Sequence, residues 1–143
     1  MPEVAWEMTY SVETDAGSEF AWRYWSDVRN WDDPPAEFEL DGPFVDGARG
    51  VTRIPGQATM HWMVRDVNPG KSATIEMQLD GAVMSFSWKV EGIAGGRTRL
   101  TQHAVLRGEK AEALLEQVKV LDRTLPEGMK KLAGKIGEAA RRL

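Results

Sequence analysis

Residues 109–143, EKAEALLEQVKVLDRTLPEGMKKLAGKIGEAARRL, carry a single apolar stripe. Apolar side chains recur at Leu114, Val118, Leu121, Leu125, Met129, Leu132 and Ile136. Their steps of three and four residues follow one face of an α-helix. Gly108 is placed to cap the start, and Glu109 and Glu112 suit the positive end of the helix dipole. A continuous rod of about thirty residues would be about 45 Å long. Pro126 sits on the stripe between Leu125 and Met129. Its missing backbone N–H predicts a bend there, with the first half of the rod over a cavity and the second half packed on a sheet. Such a rod needs a large partner surface, and the preceding chain has to supply it.

That chain reads as mostly β. Val4, Trp6, Met8, Tyr10 and Val12 alternate with small or polar residues, as a half-buried strand does. Thr14 or Asp15 is placed to cap a short helix with Glu19 in its first turn. Ser26-Asp27 ends that helix and caps a second short piece, Val28 to Trp31, which Pro34-Pro35 stops. Strands are then expected over 37–40, 49–54, 59–67, 72–79, 84–91 and 97–107, the last being the longest. Asn68-Pro69-Gly70, Asp80-Gly81 and Gly92 to Gly96 supply the turn chemistry between them. Short connections predict an antiparallel meander without βαβ units. The expected architecture is one α+β domain over residues 1–143, a curved sheet of six to seven strands around a long C-terminal helix, with two short helices after the first strand.

Composition narrows the function classes. A hydrophobic fraction of 42% beside 28% charged residues is that of a soluble globular chain. A net charge of −4 argues against nucleic acid as a partner. Lys130, Lys131, Lys135, Arg141 and Arg142 read as a solvated helix end favoured by the dipole. No apolar run approaches the length of a membrane span, and MPEVAWEMTY lacks the basic-then-apolar pattern of a leader. The absence of cysteine removes disulfides, thiolate metal sites and a thiol nucleophile, and fits a cytoplasmic location. Six tryptophans are many for 143 residues, and a hollow lined by aromatic faces accommodates them more readily than a compact core.

Several segments, in order, resemble one family. Trp22-Arg23-Tyr24-Trp25-Ser26-Asp27-Val28-Arg29-Asn30-Trp31 is similar to its W-x-x-x-S-D-x-x-x-W pattern over the helix pair. Asp41-Gly42-Pro43-Phe44 with Gly47, Val64 to Gly70, Gly95 to His103 and Leu125 to Ala133 follow in register. The chain thus resembles the START-like, helix-grip superfamily, within it the bacterial SRPBCC proteins of polyketide cyclase/dehydrase and lipid-transport type. It departs at Asp32-Asp33, where the family often carries a second tryptophan. The resemblance implies a helix-grip fold and a cavity of about 300–1,000 Å³ for an apolar or amphipathic molecule.

Alternation names the lining. Anchored on Leu100 and Leu106, the last strand turns Gln102 inward and His103 outward. The candidate ligand-binding residues are Tyr10, Trp25, Trp62, Met77, Met84, Phe86, Trp88, Gln102, Leu121, Leu125 and Met129. Ordinary core packing is the competing role for each apolar member. Tyr10 and Gln102 stand out because a buried hydroxyl or amide needs a partner. His61 and His103 show no metal-ligand spacing, and the phase of the strand around His61 is ambiguous. No catalytic residue, metal or cofactor is assigned. The primary expectation is a carrier of a lipid or polyketide-like molecule, with a homodimer compatible. The alternative is an enzyme of cyclase/aromatase or dehydratase type using Tyr10, His61 or an arginine such as Arg53 or Arg65 for proton transfer.

Overall fold

The structure, a computed structural model, describes residues 4–143; Met1 to Glu3, where the segment read for a leader begins, lie outside the described residues. The alternation of Val4 to Thr14 becomes strand β1 (Val4–Thr14), followed by helix α1 (Ser18–Trp25) and a 3-10 turn at Val28–Asn30. Then come β2 (Glu37–Asp41), β3 (Arg49–Arg53), β4 (Met60–Asn68), β5 (Ser72–Leu79), β6 (Ala82–Ile93) and β7 (Arg97–Arg107). All seven strands form one antiparallel sheet in the order β1-β7-β6-β5-β4-β3-β2. The hairpins place sequence neighbours side by side, and the chain closes by laying β1 against β7. Asp80-Gly81 makes the two-residue turn expected of it, with Gly81 at φ +72°. β6, with twelve residues, is one longer than the eleven-residue β7, against the expectation that the last strand is longest.

The C-terminal region departs from a continuous rod. A 3-10 turn at Ala111–Leu114 leads into α2 (Leu115–Val118) and then α3 (Leu121–Arg141), which is 21 residues long. The α-helical ladder breaks at Lys119-Val120, not at Pro126, and α3 runs on through the proline. Pro126 has no N–H for the Asp122 carbonyl one turn earlier, a loss that leaves the bonds at Lys119 and Val120 untouched. Here the bonds tighten instead, with Asp122 N–H donating to Lys119 O (3.0 Å) and Arg123 N–H to Val120 O (3.1 Å). At about 1.5 Å per residue α3 spans about 31 Å.

Two expected caps also differ. Gly108 adopts φ +135° and the first 3-10 turn of the tail begins after Lys110. Gly17 precedes α1 without a side-chain cap. Thr14 and Asp15 are drawn elsewhere: the Thr14 hydroxyl donates to Ala133 O (2.6 Å) and Asp15 accepts from Arg97 Nε (2.7 Å). Asp27 caps as expected, accepting from Arg29 N–H at 3.1 Å.

α3 packs on β1 and α1. Of its stripe, Leu125, Met129 and Ile136 are buried with Trp6, Leu100, Ala104 and Leu106, and Leu132 is half-buried against them. Burial of this apolar surface, at about 25 cal/mol per Å², is the main force holding the helix to the sheet. Two polar bonds tie it to β1, Thr14 to Ala133 (2.6 Å) and Trp6 Nε1–H to Asp122 (3.3 Å), and an exposed pair, Lys135 to Asp32 (2.7 Å), ties it to the segment before β2.

Candidate functional site

The concave face of the sheet is built by period-two alternation. Trp6, Met8, Tyr10 and Val12 of β1 face inward, with Ala82, Met84, Phe86, Trp88 and Val90 of β6 and Thr98, Leu100, Gln102, Ala104 and Leu106 of β7. Trp62 and Val64 of β4 are buried while His61 is exposed, which settles the phase left open in the sequence. His61 lies on the outer face, in an open hollow of about 680 Å³ shared with Glu39, Arg49 and Arg53. Arg53 pairs with Glu39 (3.0 Å) and Arg65 with Glu76 (3.5 Å), both on exposed surface. His103 faces outward and meets Glu7 at 2.8 Å. Hence neither histidine nor either arginine faces the concave side. No carboxylate, cation or imidazole stands among its inward residues on β1, β6 and β7.

One end of the space is filled by aromatic rings. Trp25 lies 5.2 Å from Trp88, 5.3 Å from Phe44 and 5.6 Å from Trp22, centroid to centroid. Trp31 stacks on Trp62 at 5.3 Å and contacts Trp25 at 6.3 Å. Trp62 donates its indole N–H to Thr52 (3.0 Å), and Trp31 donates to the Trp25 carbonyl (2.6 Å). Trp62 lies so close to β3 that only glycine fits opposite: a Cβ on Gly50 would sit 2.2 Å from its ring. Five of the six tryptophans thus join one packed cluster, which corrects the expectation that so many indoles would line a hollow. Pairing of aromatic faces and edges solves the packing problem directly. Phe38 and Phe44, absent from the candidate set, complete the cluster. At this end Asp32 takes Lys135 of α3 in an ion pair, and that hydrogen bond holds the Lys135 amine above its usual range. A charged tether stands where the family often carries a second tryptophan.

Beside the cluster the packing loosens. Along β6, Ala82, Met84 and Val90 are buried, yet Phe86 and Trp88 between them are only half-buried. Tyr10 and Met8 on β1, Met77 on β5 and Leu121 at the start of α3 are half-buried too. Trp25, Met84, Leu125 and Met129 are buried within the core.

Gln102 is decisive about what this region contains. Among the described residues four polar side chains are buried: Thr14, Thr52, Thr98 and Gln102. Thr14 and Thr98 donate to the carbonyls of Ala133 and Ala16, each at 2.6 Å, and Thr52 accepts from Trp62. The Gln102 amide makes no hydrogen bond among the described residues, although the residue is only 6% exposed. No fully enclosed side-chain nitrogen or oxygen there lacks a partner. The Gln102 amide therefore still borders solvent-sized space on the inner side of the sheet.

A family model described as polyketide cyclase/dehydrase and lipid transport matches residues 5–137. The chain belongs to this family. No curated protein matches it by sequence. Among solved structures, norcoclaurine synthase from Thalictrum flavum is similar over 94% of this chain and 87% of its own, at 15% identity and a TM-score of 0.71. A Nitrosomonas europaea protein matches over 96% of this chain and 97% of its own, at 13% identity and a TM-score of 0.70. A Mycobacterium smegmatis protein matches over 93% and 89%, at 20% identity and a TM-score of 0.63. At these identities the likeness establishes the helix-grip fold, which this polyketide cyclase/dehydrase and lipid-transport family member shares. Among the described residues no helix is long and apolar enough to cross a membrane, and no group of three or more acidic, histidine or cysteine side chains could hold a metal.

Proposed function

We propose that the protein binds a hydrophobic or amphipathic small molecule, lipid or polyketide-like, between the sheet and the C-terminal helices. The observation that carries this reading is the 6% exposed Gln102, without a hydrogen-bond partner among the described residues, beside half-buried Tyr10, Phe86 and Trp88 on the concave face. Apolar walls with one or two polar groups are the usual construction of a small-molecule site. The family, whose description includes lipid transport, supports the same reading. Carriage is favoured over catalysis because the inward residues of β1, β6 and β7 offer no acid–base pair, and His61, Arg53 and Arg65 all lie outside. Native mass spectrometry of freshly purified protein, followed by titration with the neutral fluorophore N-phenylnaphthylamine, tests the reading. A co-purified apolar compound, or saturable binding that quenches tryptophan emission, is expected. Protein that emerges empty and binds no apolar probe would overturn it.

A further inference from the structure

Antiparallel register places three polar-tipped side chains in one row across the concave face. Tyr10 of β1 is opposite Gln102 of β7, and Gln102 is opposite Trp88 of β6. Directly opposed residues on one face lie within about 5.5 Å at Cβ, so the three form a contiguous stripe. None of the three makes a side-chain hydrogen bond among the described residues, whereas the indoles of Trp6, Trp31 and Trp62 all do. Tyr10 offers one hydroxyl, Gln102 a carbonyl and two N–H groups, and Trp88 one N–H. The stripe is rich in donors and carries no charge at neutral pH. Its neighbours Met8, Leu100, Ala104 and Phe86 are apolar.

We infer that this row selects, within the site proposed above, for an uncharged molecule bearing an oxygen acceptor, a ketone, ester or hydroxyl on an apolar body. Such an oxygen, with two lone pairs, accepts from up to two of the Gln102, Trp88 and Tyr10 donors. A pure hydrocarbon leaves them unpaired. A carboxylate brings a negative charge to a surface that has no cation to meet it, and loses its water in doing so. The inference rests on the carrier reading and sharpens it from any apolar ligand to a neutral, oxygenated one.

The test is displacement of N-phenylnaphthylamine by a medium-chain methyl ketone, and by the alkane and the carboxylate of the same chain length. The ketone is expected to bind about tenfold more tightly than the alkane, the value of one well-made hydrogen bond to a group otherwise left unpaired. The carboxylate is expected to bind more weakly than the ketone at pH 8. Gln102→Leu is expected to erase the preference for ketone over alkane while keeping or raising alkane affinity. Tyr10→Phe, a milder change, is expected to reduce the preference without abolishing it, and serves if the leucine variant does not fold. Equal binding of ketone and alkane by the unaltered protein, or preference for the carboxylate, overturns the inference and leaves the carrier reading standing. Failure of every compound, N-phenylnaphthylamine included, to bind overturns both.

Discussion

Thr14 and Ala133 are 119 positions apart, and the Thr14 hydroxyl donates a 2.6 Å hydrogen bond to the Ala133 carbonyl in a buried setting. The bond ties the end of β1 to the middle of α3, so it fixes where the helix lies along the sheet. Thr14→Val keeps the side chain's shape and removes the donor. The substitution is expected to cost about 1 kcal/mol. Urea denaturation should show a lower midpoint with an unchanged slope, and an unchanged midpoint would mean that the bond contributes nothing to stability.

Glycines test the packing at two places with opposite signs. At Gly50 an added methyl would lie 2.2–2.4 Å from the Trp62 ring, which is itself held by Thr52 and stacked on Trp31. Gly50→Ala should therefore destabilise by about 1–3 kcal/mol and red-shift tryptophan emission as the cluster opens. Gly134, on α3, has open space where its Cβ would go. Gly134→Ala should raise stability by about 0.5–1 kcal/mol, read as a higher thermal midpoint.

Burial within the C-terminal region predicts a steep contrast between on-stripe and off-stripe positions. Ile136 is fully buried beneath the sheet, and Ile136→Ala should cost about 2–5 kcal/mol. Val120, at the break between α2 and α3, is 46% exposed. Val120→Ala should change stability by less than about 0.5 kcal/mol. Equal costs at the two positions would contradict this difference in burial.

Asp27 provides a pH signature. The Arg29 guanidinium donates to its carboxylate at 2.9 and 2.7 Å, and the Arg29 backbone N–H adds a third bond, so the carboxyl titrates below its ordinary value. A lowered folded-state pKa gives stability that is present above the unfolded-state value of about 3.9 and lost as pH falls through the folded value. Carbon-detected NMR titration should place the Asp27 midpoint below that of free aspartate. In Arg29→Gln it should move up toward the ordinary value, and no movement would show that the guanidinium is not the cause.

Much of the inner face was legible before any coordinates. Leu100 and Leu106 set the phase of β7, and that phase alone placed Gln102 inward and His103 outward, because a strand's side-chain period of two permits no other assignment. The stripe from Leu114 to Ile136 was equally readable, and the break within it was not. Lys119 and Val120 keep right-handed helical dihedrals (φ −58°, ψ −24° and φ −59°, ψ −25°), so the apolar spacing continues while the hydrogen-bond pattern changes beneath it. Periodicity reports the direction of side chains and is blind to such a change.

Local pattern determined which elements form and which face of each is apolar, since propensity, turn chemistry and alternation act over a few residues. It determined the antiparallel meander, the inward Gln102 and the absence of a charged motif. Only the tertiary structure decided how the tryptophans are used. Trp31 stacks on Trp62, and Trp25 packs at a tilt against Trp88, from distant parts of the chain, filling one end of the space that their number had seemed to leave hollow. It also decided that Thr14, Thr52 and Thr98 find partners while the Tyr10–Gln102–Trp88 row does not. Satisfaction of a buried polar group depends on which atoms long-range folding brings within about 3 Å, and no window of sequence contains that distance.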